Sequence, residues 1–299
     1  MVSQLADIYS KMDNDMFRIL RAIESLLPKY EYPPLDIVER RARLPPGRFK
    51  RALEKLVEMK LLRKSKHQLM GYTLTFQALD LLALRTLVAR GTISEIGGKI
   101  GVGKESEVYK ALSPTGMKLI VKFHREGTRS FKSLRKTRLY MADSTRKHWL
   151  IKAKLIGERE YKALDTLYNL GALVPKPIDW NRHAVVQEYI EGIELYIIPD
   201  NGLPNPSDVL DKIIATIEIA YKKAGIVHGD LSEYNILVST SGDPYIIDWP
   251  QYVYRDDPIA EDLLERDVYY IIRFFNKKFR LGLDPRSILE RVKGSGDGG

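Results

Sequence analysis

The chain has 299 residues, of which 44% are hydrophobic, values typical of a globular protein with a buried core and room for two domains. It contains no cysteine, which excludes disulfides, thiolate metal sites and a cysteine nucleophile. No apolar run reaches the roughly 18 residues of a membrane span and the N-terminus is too polar for a secretory signal, so the sequence predicts a cytoplasmic protein with no membrane partner.

The formal net charge of +9 is concentrated in two blocks. Residues 29–66 contain twelve Lys and Arg against five Asp and Glu, and residues 122–162 contain thirteen against four. Blocks of this kind suit a phosphate-rich partner such as a nucleic acid, although a solvated helix face has the same composition. The charge therefore indicates a phosphate-rich partner without deciding which block contacts it.

The first ninety residues have the pattern of a winged helix-turn-helix domain. Apolar spacing predicts three helices, a hairpin of two strands and a closing helix, over residues 13–27, 35–42, 48–59, 61–66, 71–75 and 76–87. In the third helix we expect Phe49, Leu53, Leu56 and Val57 to face inward.

Basic side chains of this domain are predicted to contact nucleic acid. They lie on the exposed side of the third helix and near the tip of the hairpin: Arg48, Lys50, Arg51, Lys55, Lys64 and Lys66. No base-reading pattern is visible, so we expect phosphate contacts with weak sequence preference. A winged helix that binds protein instead is the alternative.

Two nucleotide-binding patterns compete for the glycine-rich residues 97–109. Walker A, G-x-x-x-x-G-K-[ST], fails because Glu105 stands where a hydroxyl should bind magnesium and because the following residues favour a strand. The kinase pattern G-x-G-x-x-G-x-V fits, with a serine at its third glycine. Glycines let backbone amides approach phosphates. The residues assigned to nucleotide binding are Gly101, Gly103, Lys104, Glu105, Ser106 and Val108.

The next two elements fit the N-lobe of a kinase. A predicted strand at residues 118–123 carries Lys122, at the place of the V-A-I-K lysine that contacts the nucleotide phosphates. A helix predicted from residue 151 to the residue before Gly171 carries Glu160, our choice for the glutamate that pairs with this lysine. Glu158 is the rival candidate.

A predicted strand at residues 184–190 ends where a kinase joins its lobes and reads adenine through main-chain atoms. We expect Glu188 and Ile190 to make that contact. An amphipathic helix over residues 207–224 follows, and Gly225 is predicted to cap its end.

The stretch HGDLSEYN, residues 228–235, leads from this helix into a strand. Asp230 can orient a nucleophile and accept its proton, and the carbonyl of Asn235 can hold a magnesium ion. A second strand ends at Asp248, so a hairpin would bring it to Asn235 at one metal site, with Asp248 as the direct ligand. The predicted cofactors are ATP and Mg²⁺, with Mn²⁺ as an alternative ion, and Asp230, Lys122 and Asp248 are the predicted catalytic residues.

The motifs GxGKESEVY, IVK, HGDLSEYN and IDWPQ together resemble the RIO family of atypical serine protein kinases, and the winged helix resembles its second subfamily. Only Trp249 departs from the motif, which usually has Phe there. The resemblance implies an α+β fold with a winged helix at residues 1–90 and a truncated two-lobed kinase-like domain at residues 91–299. Its N-lobe, hinge and C-lobe are expected at about residues 91–187, 188–192 and 193–293.

The resemblance also implies a role for each site residue. Ser106 and Lys122 hold phosphates, and Glu160 pairs with Lys122. Asp230 is the catalytic aspartate, whereas Asn235 and Asp248 bind metal.

Four functions remain in competition. After Asp248 only 51 residues follow, with one more helix predicted at residues 268–283, so a conventional peptide-binding platform is not expected. A serine kinase acting on itself or on a partner, and an ATPase that switches attachment to a ribonucleoprotein, use the same site. The resemblance implies the pre-ribosomal small subunit and its rRNA as partners and favours the ATPase. The alternatives are a phosphotransferase of the aminoglycoside-kinase type and a nucleic-acid-binding regulator with a kinase-like domain.

Overall fold

A computed structural model of the protein describes residues 4–65, 71–102, 106–125 and 149–294. Five of the predicted features lie outside the described residues: Lys66, Gly103, Lys104, Glu105 and the segment 129–148. Two compact units are formed, Met1–Glu158 with Asp179–Val186, and Arg159–Ile178 with Gln187–Gly299. Among the helices described, none is both long and apolar enough to cross a membrane.

The first unit begins with the winged helix. Its elements are α1 (Gln4–Ser10), α2 (Asn14–Leu26), α3 (Leu35–Ala42), α4 (Pro46–Glu58), β1 (Leu62–Lys64), β2 (Tyr72–Leu74) and α5 (Phe76–Ala89). Side-chain caps start two of the helices: Asp13 accepts a hydrogen bond from the Met16 amide, and Thr75 accepts one from the Ala78 amide. The strands pair antiparallel, Leu62 opposite Leu74. The predicted three helices, hairpin and closing helix are therefore confirmed, and α1 is an additional helix.

One prediction about α4 is wrong. Val57 is 40% exposed, whereas Phe49, Ala52, Leu53 and Leu56 are buried. The buried positions follow the i, i+3, i+4, i+7 spacing of a single helix face. Val57 lies about 40° beyond Leu53 around the helix, at the edge of that face, so its side chain is partly exposed.

A five-stranded sheet follows, with the strand order β3-β4-β5-β7-β6. The strands are β3 (Glu95–Val102), β4 (Ser106–Leu112), β5 (Lys118–His124), β6 (Pro177–Asn181) and β7 (Ala184–Glu188). The predicted strand at residues 118–123 is confirmed as β5, which pairs antiparallel with β4 and has Lys118 opposite Leu112. Helix α6 (Trp149–Asn169) starts two residues earlier than the predicted helix. Strand β7 starts where the predicted strand does and ends two residues earlier than it.

The second unit is built from short strands and helices. Its elements in chain order are β8 (Gly192–Glu194), α7 (Pro206–Glu218), a π-helical turn (Ile219–Ala224), β9 (Ile226–Val227), a 3-10 turn (Glu233–Asn235), β10 (Ile236–Ser239), β11 (Pro244–Ile246), β12 (Val253–Tyr254), α8 (Ala260–Phe279) and α9 (Pro285–Lys293). Gly225 ends the π-helical turn in the left-handed conformation, φ 67°, which confirms the predicted cap. β10 lies between β11 and β8, and β12 pairs with β9.

The prediction of a single helix at residues 268–283 is also wrong. Helix α8 already begins at Ala260 and ends at Phe279, and α9 is a separate helix. The residues before the predicted start include Glu261 and Asp262, which lie in the first turn of α8, where negative charge favours a helix.

Candidate active site

The second unit brings three predicted site residues together. Asp230 follows β9, Asn235 precedes β10, and Asp248 follows β11. β10 and β11 pair antiparallel with Ile236 opposite Ile246, and the pairing continues because the Ile247 amide donates to the Asn235 carbonyl at 2.9 Å. This hairpin places Asn235 and Asp248 beside each other at its open end, as predicted.

The orientation of the Asn235 amide suits a cation. Its Nδ2 donates to the backbone carbonyl of Asp230 at 2.8 Å, so the Oδ1 oxygen remains as an acceptor. Within the described residues no group of three or more His, Cys, Asp or Glu side chains is arranged for a metal. Mg²⁺ is commonly held by one or two protein oxygens together with phosphate oxygens and water. Asn235 and Asp248 therefore fit a metal that arrives with a nucleotide.

Asp248 has an unusual backbone conformation. Its φ is 68°, in the left-handed region that non-glycine residues seldom occupy. Such a conformation costs about 1–3 kcal/mol and persists only where neighbouring contacts impose it. Two contacts lie just beside it: the buried Trp249 donates from Nε1 to the Ile246 carbonyl at 3.1 Å, and His228 contacts the Ile247 carbonyl at 3.0 Å.

His228 links the catalytic loop to the metal-binding segment. Its Nδ1 accepts from the Asp230 amide at 3.3 Å, and Nε2 lies 3.0 Å from the carbonyl of Ile247. A carbonyl can only accept, so these contacts assign the proton of a neutral ring to Nε2. The ring also packs against Trp249 with centroids 4.6 Å apart. His228 thus holds Asp230 and the residues before Asp248 in one arrangement.

Asp267 and Arg266 on α8 also belong to this site, and the sequence analysis missed both. Asp267 is 1% exposed and accepts from the amides of Gly229 at 2.8 Å and Leu231 at 3.1 Å. Arg266 donates to the Gly229 carbonyl. The available signal was a single acid, Asp267, within the apolar face of α8. The helix had been predicted to start at residue 268, so Asp267 lay just outside it.

The surroundings of Asp230 alter its acidity. Asp230 is exposed, but the surrounding protein partly desolvates its carboxylate and raises its pKa above the ordinary value for an aspartate, and the carboxylates of Asp248 and Asp267 act in the same direction. The positive charge of Arg266 opposes this shift. A higher pKa makes the Asp230 carboxylate a better proton acceptor, as required of a general base.

The first unit contains the predicted phosphate-binding residues. Val108 on β4 lies opposite Gly101 of β3 and opposite Lys122 of β5, so the three form one row across the sheet. Ser106 begins β4. Lys122 is only 8% exposed, unlike a lysine that merely faces solvent. The row brings the glycine loop and Lys122 together on one sheet, as binding of the same phosphates requires.

Glu160 and Glu158 differ in burial. Both lie on α6, but Glu160 is 1% exposed, whereas Glu158 is partly exposed. A buried carboxylate requires a positive partner or hydrogen bonds. Burial favours Glu160 as the paired glutamate, and its pairing with Lys122 stays a prediction.

The predicted adenine-reading residues follow β7. Glu188 exchanges hydrogen bonds with Lys176: its amide donates to the Lys176 carbonyl at 2.9 Å, and its Oε1 accepts from the Lys176 amide at 2.8 Å. The Glu188 carboxylate therefore already accepts a hydrogen bond from the backbone. Ile190 lies beyond the strand. Their contact with adenine stays a prediction.

The basic residues of the winged helix differ in how they are paired. Arg48 donates twice to Asp15, at 2.7 Å each, and Lys55 lies 3.7 Å from Asp13. Lys50, Arg51 and Lys64 are exposed, and within the described residues none of them forms an ion pair with a carboxylate. A phosphate would therefore meet the latter three without displacing a carboxylate.

Comparisons with known proteins find relatives that match most of the chain. Residues 107–288 match the RIO domain, and residues 9–90 match the Rio2 N-terminal domain. The chain is 36% identical to the RIO-type serine/threonine-protein kinase Rio2 of Methanocaldococcus jannaschii, over 87% of this chain and 95% of that one. It is 32% identical to the serine/threonine-protein kinase RIO2 of Saccharomyces cerevisiae, over 96% of this chain and 69% of that one. A crystal structure of the Rio2 kinase-ADP/Mg²⁺-phosphoaspartate complex from Chaetomium thermophilum is similar, with a TM-score of 0.82, 30% identity, and coverage of 98% of this chain and 89% of that one.

Proposed function

This chain belongs to the RIO family of serine/threonine protein kinases, and from that membership we propose that its ATP turnover serves the maturation of the small ribosomal subunit. The family, the winged helix and the kinase-like fold predicted from the sequence are confirmed. The phosphotransferase and regulator alternatives are not favoured, because the relatives that match over most of the chain are serine/threonine-protein kinases and residues 9–90 match the Rio2 N-terminal domain. The cytoplasmic location stays a prediction.

The observation that carries the proposed chemistry is the arrangement of Asp230, Asn235 and Asp248 on one hairpin and its adjoining loop. When a hydroxyl is the phosphate acceptor, Asp230 accepts its proton, and Asn235 and Asp248 hold the metal. Lys122 binds the nucleotide phosphates. Mg²⁺, when bound, offsets the negative charge that develops on the phosphate oxygens. Mn²⁺ also favours oxygen ligands and is proposed as a substitute ion.

For the ATPase cycle we propose that a carboxylate of this chain receives the γ-phosphate, as the phosphoaspartate named for the Chaetomium relative suggests. The carboxylate oxygen would attack the γ-phosphorus, ADP would leave, and water would then release phosphate from the aspartate. Asp230 and Asp248 are the candidates. Asp267 is not, because both of its oxygens already accept backbone amides in a buried position.

A single-turnover experiment with ATP labelled at the γ-position tests this proposal. The expected product is a protein-bound label that hydroxylamine removes, as it does from an acyl phosphate, and mass spectrometry should place it on Asp230 or Asp248. Acid-stable label on a serine would identify self-phosphorylation instead. Label found only in free phosphate, with no trapped intermediate at any time, would contradict the aspartyl route.

Asp248→Ala is expected to reduce the affinity for ATP in the presence of Mg²⁺ by about tenfold or more, towards the value without Mg²⁺, because a charged metal ligand is lost. Titration calorimetry with and without Mg²⁺ measures this. Asp256→Ala, which removes an exposed acid further along the chain, is the control and should behave as the parent. Equal ATP affinity with and without Mg²⁺ in the parent protein would refute the assignment.

We propose that rRNA phosphates contact the exposed side of α4 through Lys50 and Arg51. The double variant Lys50→Glu/Arg51→Glu should weaken binding to small-subunit rRNA and lower the slope of log affinity against log salt by about 1–2. Arg48→Glu is a poorer probe, since Arg48 already pairs with Asp15. Filter binding at several salt concentrations gives the slope, with Arg286→Glu on α9 as control. An unchanged slope would move the contact to the basic block at residues 122–162.

A further inference from the structure

Arg159 on α6 contacts the segment that follows the metal-binding aspartate. Its Nη2 donates to the Tyr252 carbonyl at 2.5 Å, and its Nε donates to the Pro250 carbonyl at 3.3 Å. The guanidinium carbon also lies 4.2 Å from the centroid of the Tyr252 ring. One side chain thus makes three contacts with residues two and four positions after Asp248.

Asp248 needs restraints on both sides because its left-handed backbone conformation is unfavourable for a residue with a Cβ. On the N-terminal side, the β10–β11 pairing and His228 fix the backbone up to Ile247. On the C-terminal side, the carbonyls held by Arg159 belong to the short loop that leads to β12.

The chemistry of arginine suits this task. Its planar fork presents donors in fixed directions and can stack on an aromatic ring while it donates to two carbonyls. Lysine has the same charge but only a compact ammonium group, which cannot reproduce the two directed bonds and the stacking together. The contact therefore depends on the shape of the side chain as well as on its charge.

We propose that Arg159 is a positioning residue that holds the loop after Asp248 and thereby keeps the carboxylate of Asp248 in the orientation that binds Mg²⁺. The inference rests on the proposed role of Asp248 as a metal ligand. Arg159 itself touches carbonyls of the loop and one tyrosine ring. Its effect on turnover is indirect.

Arg159→Gln and Arg159→Lys test the proposal with two measurements. Calorimetry should show ATP affinity without Mg²⁺ unchanged, while the Mg²⁺ concentration for half-maximal enhancement of ATP binding rises about tenfold, equivalent to about 1.4 kcal/mol. Hydrogen exchange of the nucleotide-free protein should show the amides of residues 248, 249, 251 and 252 exchanging about tenfold faster or more. Arg159→Lys should fall between Arg159→Gln and the parent.

Arg255→Gln is the matched control. Arg255 lies in the same unit, and its guanidinium carbon is 5.6 Å from the ring centroid of Tyr221, yet it does not contact the loop. It should leave both measurements unchanged. If Arg159→Gln does not fold, judged by thermal unfolding, Arg159→Lys decides the question.

Parent-like Mg²⁺ dependence and parent-like exchange in a folded Arg159 variant would overturn the inference. A different result separates it from the proposed function. If Asp248→Ala leaves Mg²⁺ dependence unchanged, the metal role of Asp248 fails, and with it the link from Arg159 to Mg²⁺. Faster exchange in Arg159→Gln would then still support Arg159 as the residue that orders the loop.

Discussion

Asp230→Ala is expected to lower turnover by about 10²–10⁴-fold, the range that a positioned general base contributes, while ATP affinity stays within about threefold of the parent. The Asp230 carboxylate lies in the loop ordered by His228 and Asp267 and has a raised pKa, which suits a proton acceptor. Asp248 and Asn235 are assigned to the metal instead. Loss of Asp230 should therefore affect the chemical step and spare nucleotide binding.

Single-turnover kinetics and calorimetry on the same preparation separate the two effects. Glu233→Gln is the control, because it alters another acidic side chain of the same loop and should retain turnover. Turnover in Asp230→Ala within tenfold of the parent would exclude Asp230 as the base and would direct attention to another carboxylate. A large loss of ATP affinity would place Asp230 among the nucleotide or metal ligands.

Asp267→Ala should have the second large effect, although Asp267 has no assigned contact with a substrate. The substitution leaves the part-buried amide of Gly229 and the buried amide of Leu231 without their acceptor, at about 1–3 kcal/mol for each. Removal of a costly buried charge offsets part of this, so we expect the free energy of unfolding to fall by about 2–4 kcal/mol. Displacement of the catalytic loop by about 1 Å can lower turnover by about 10²-fold.

Urea unfolding and steady-state turnover measure both consequences. Asp267→Asn retains one acceptor oxygen and should lose less than Asp267→Ala on each. Asp262→Ala removes an exposed acid from the first turn of the same helix and should change unfolding by less than about 1 kcal/mol. If Asp267→Ala unfolded and turned over like Asp262→Ala, the two hydrogen bonds would have no part in ordering the loop.

Gly229 connects the two predictions. Its φ is 79°, and a Cβ at this position would lie 3.3 Å from the Gln251 carbonyl. The catalytic loop therefore approaches the loop after Asp248 closely, at a residue that also donates its amide to Asp267. Gly229 is therefore contacted from two sides, by Asp267 of α8 and by the Gln251 carbonyl of the loop after Asp248.

Local patterns in the sequence determined the elements and the chemistry that each carries. Helix periodicity and turn residues located the winged helix, because an amphipathic helix repeats its apolar residues along the chain itself. The spacing between Asp230 and Asn235, and the strand ending at Asp248, identified a hairpin with metal ligands at its end. The glycine-loop pattern likewise identified Gly101, Val108 and Lys122, although the row that they form across the sheet came from the structure.

Tertiary structure alone decided which residues hold those chemical groups in place. Asp267 and Arg159 resemble ordinary charged residues of helices in the sequence, since their partners are backbone atoms 36–38 and 91–93 residues away. Backbone acceptors and donors are the same at every residue, so no pattern of side chains marks them. The left-handed conformation of Asp248 could not be predicted from the sequence for the same reason. It results from contacts with several elements, and the residue is not a glycine, the usual sign of such a conformation.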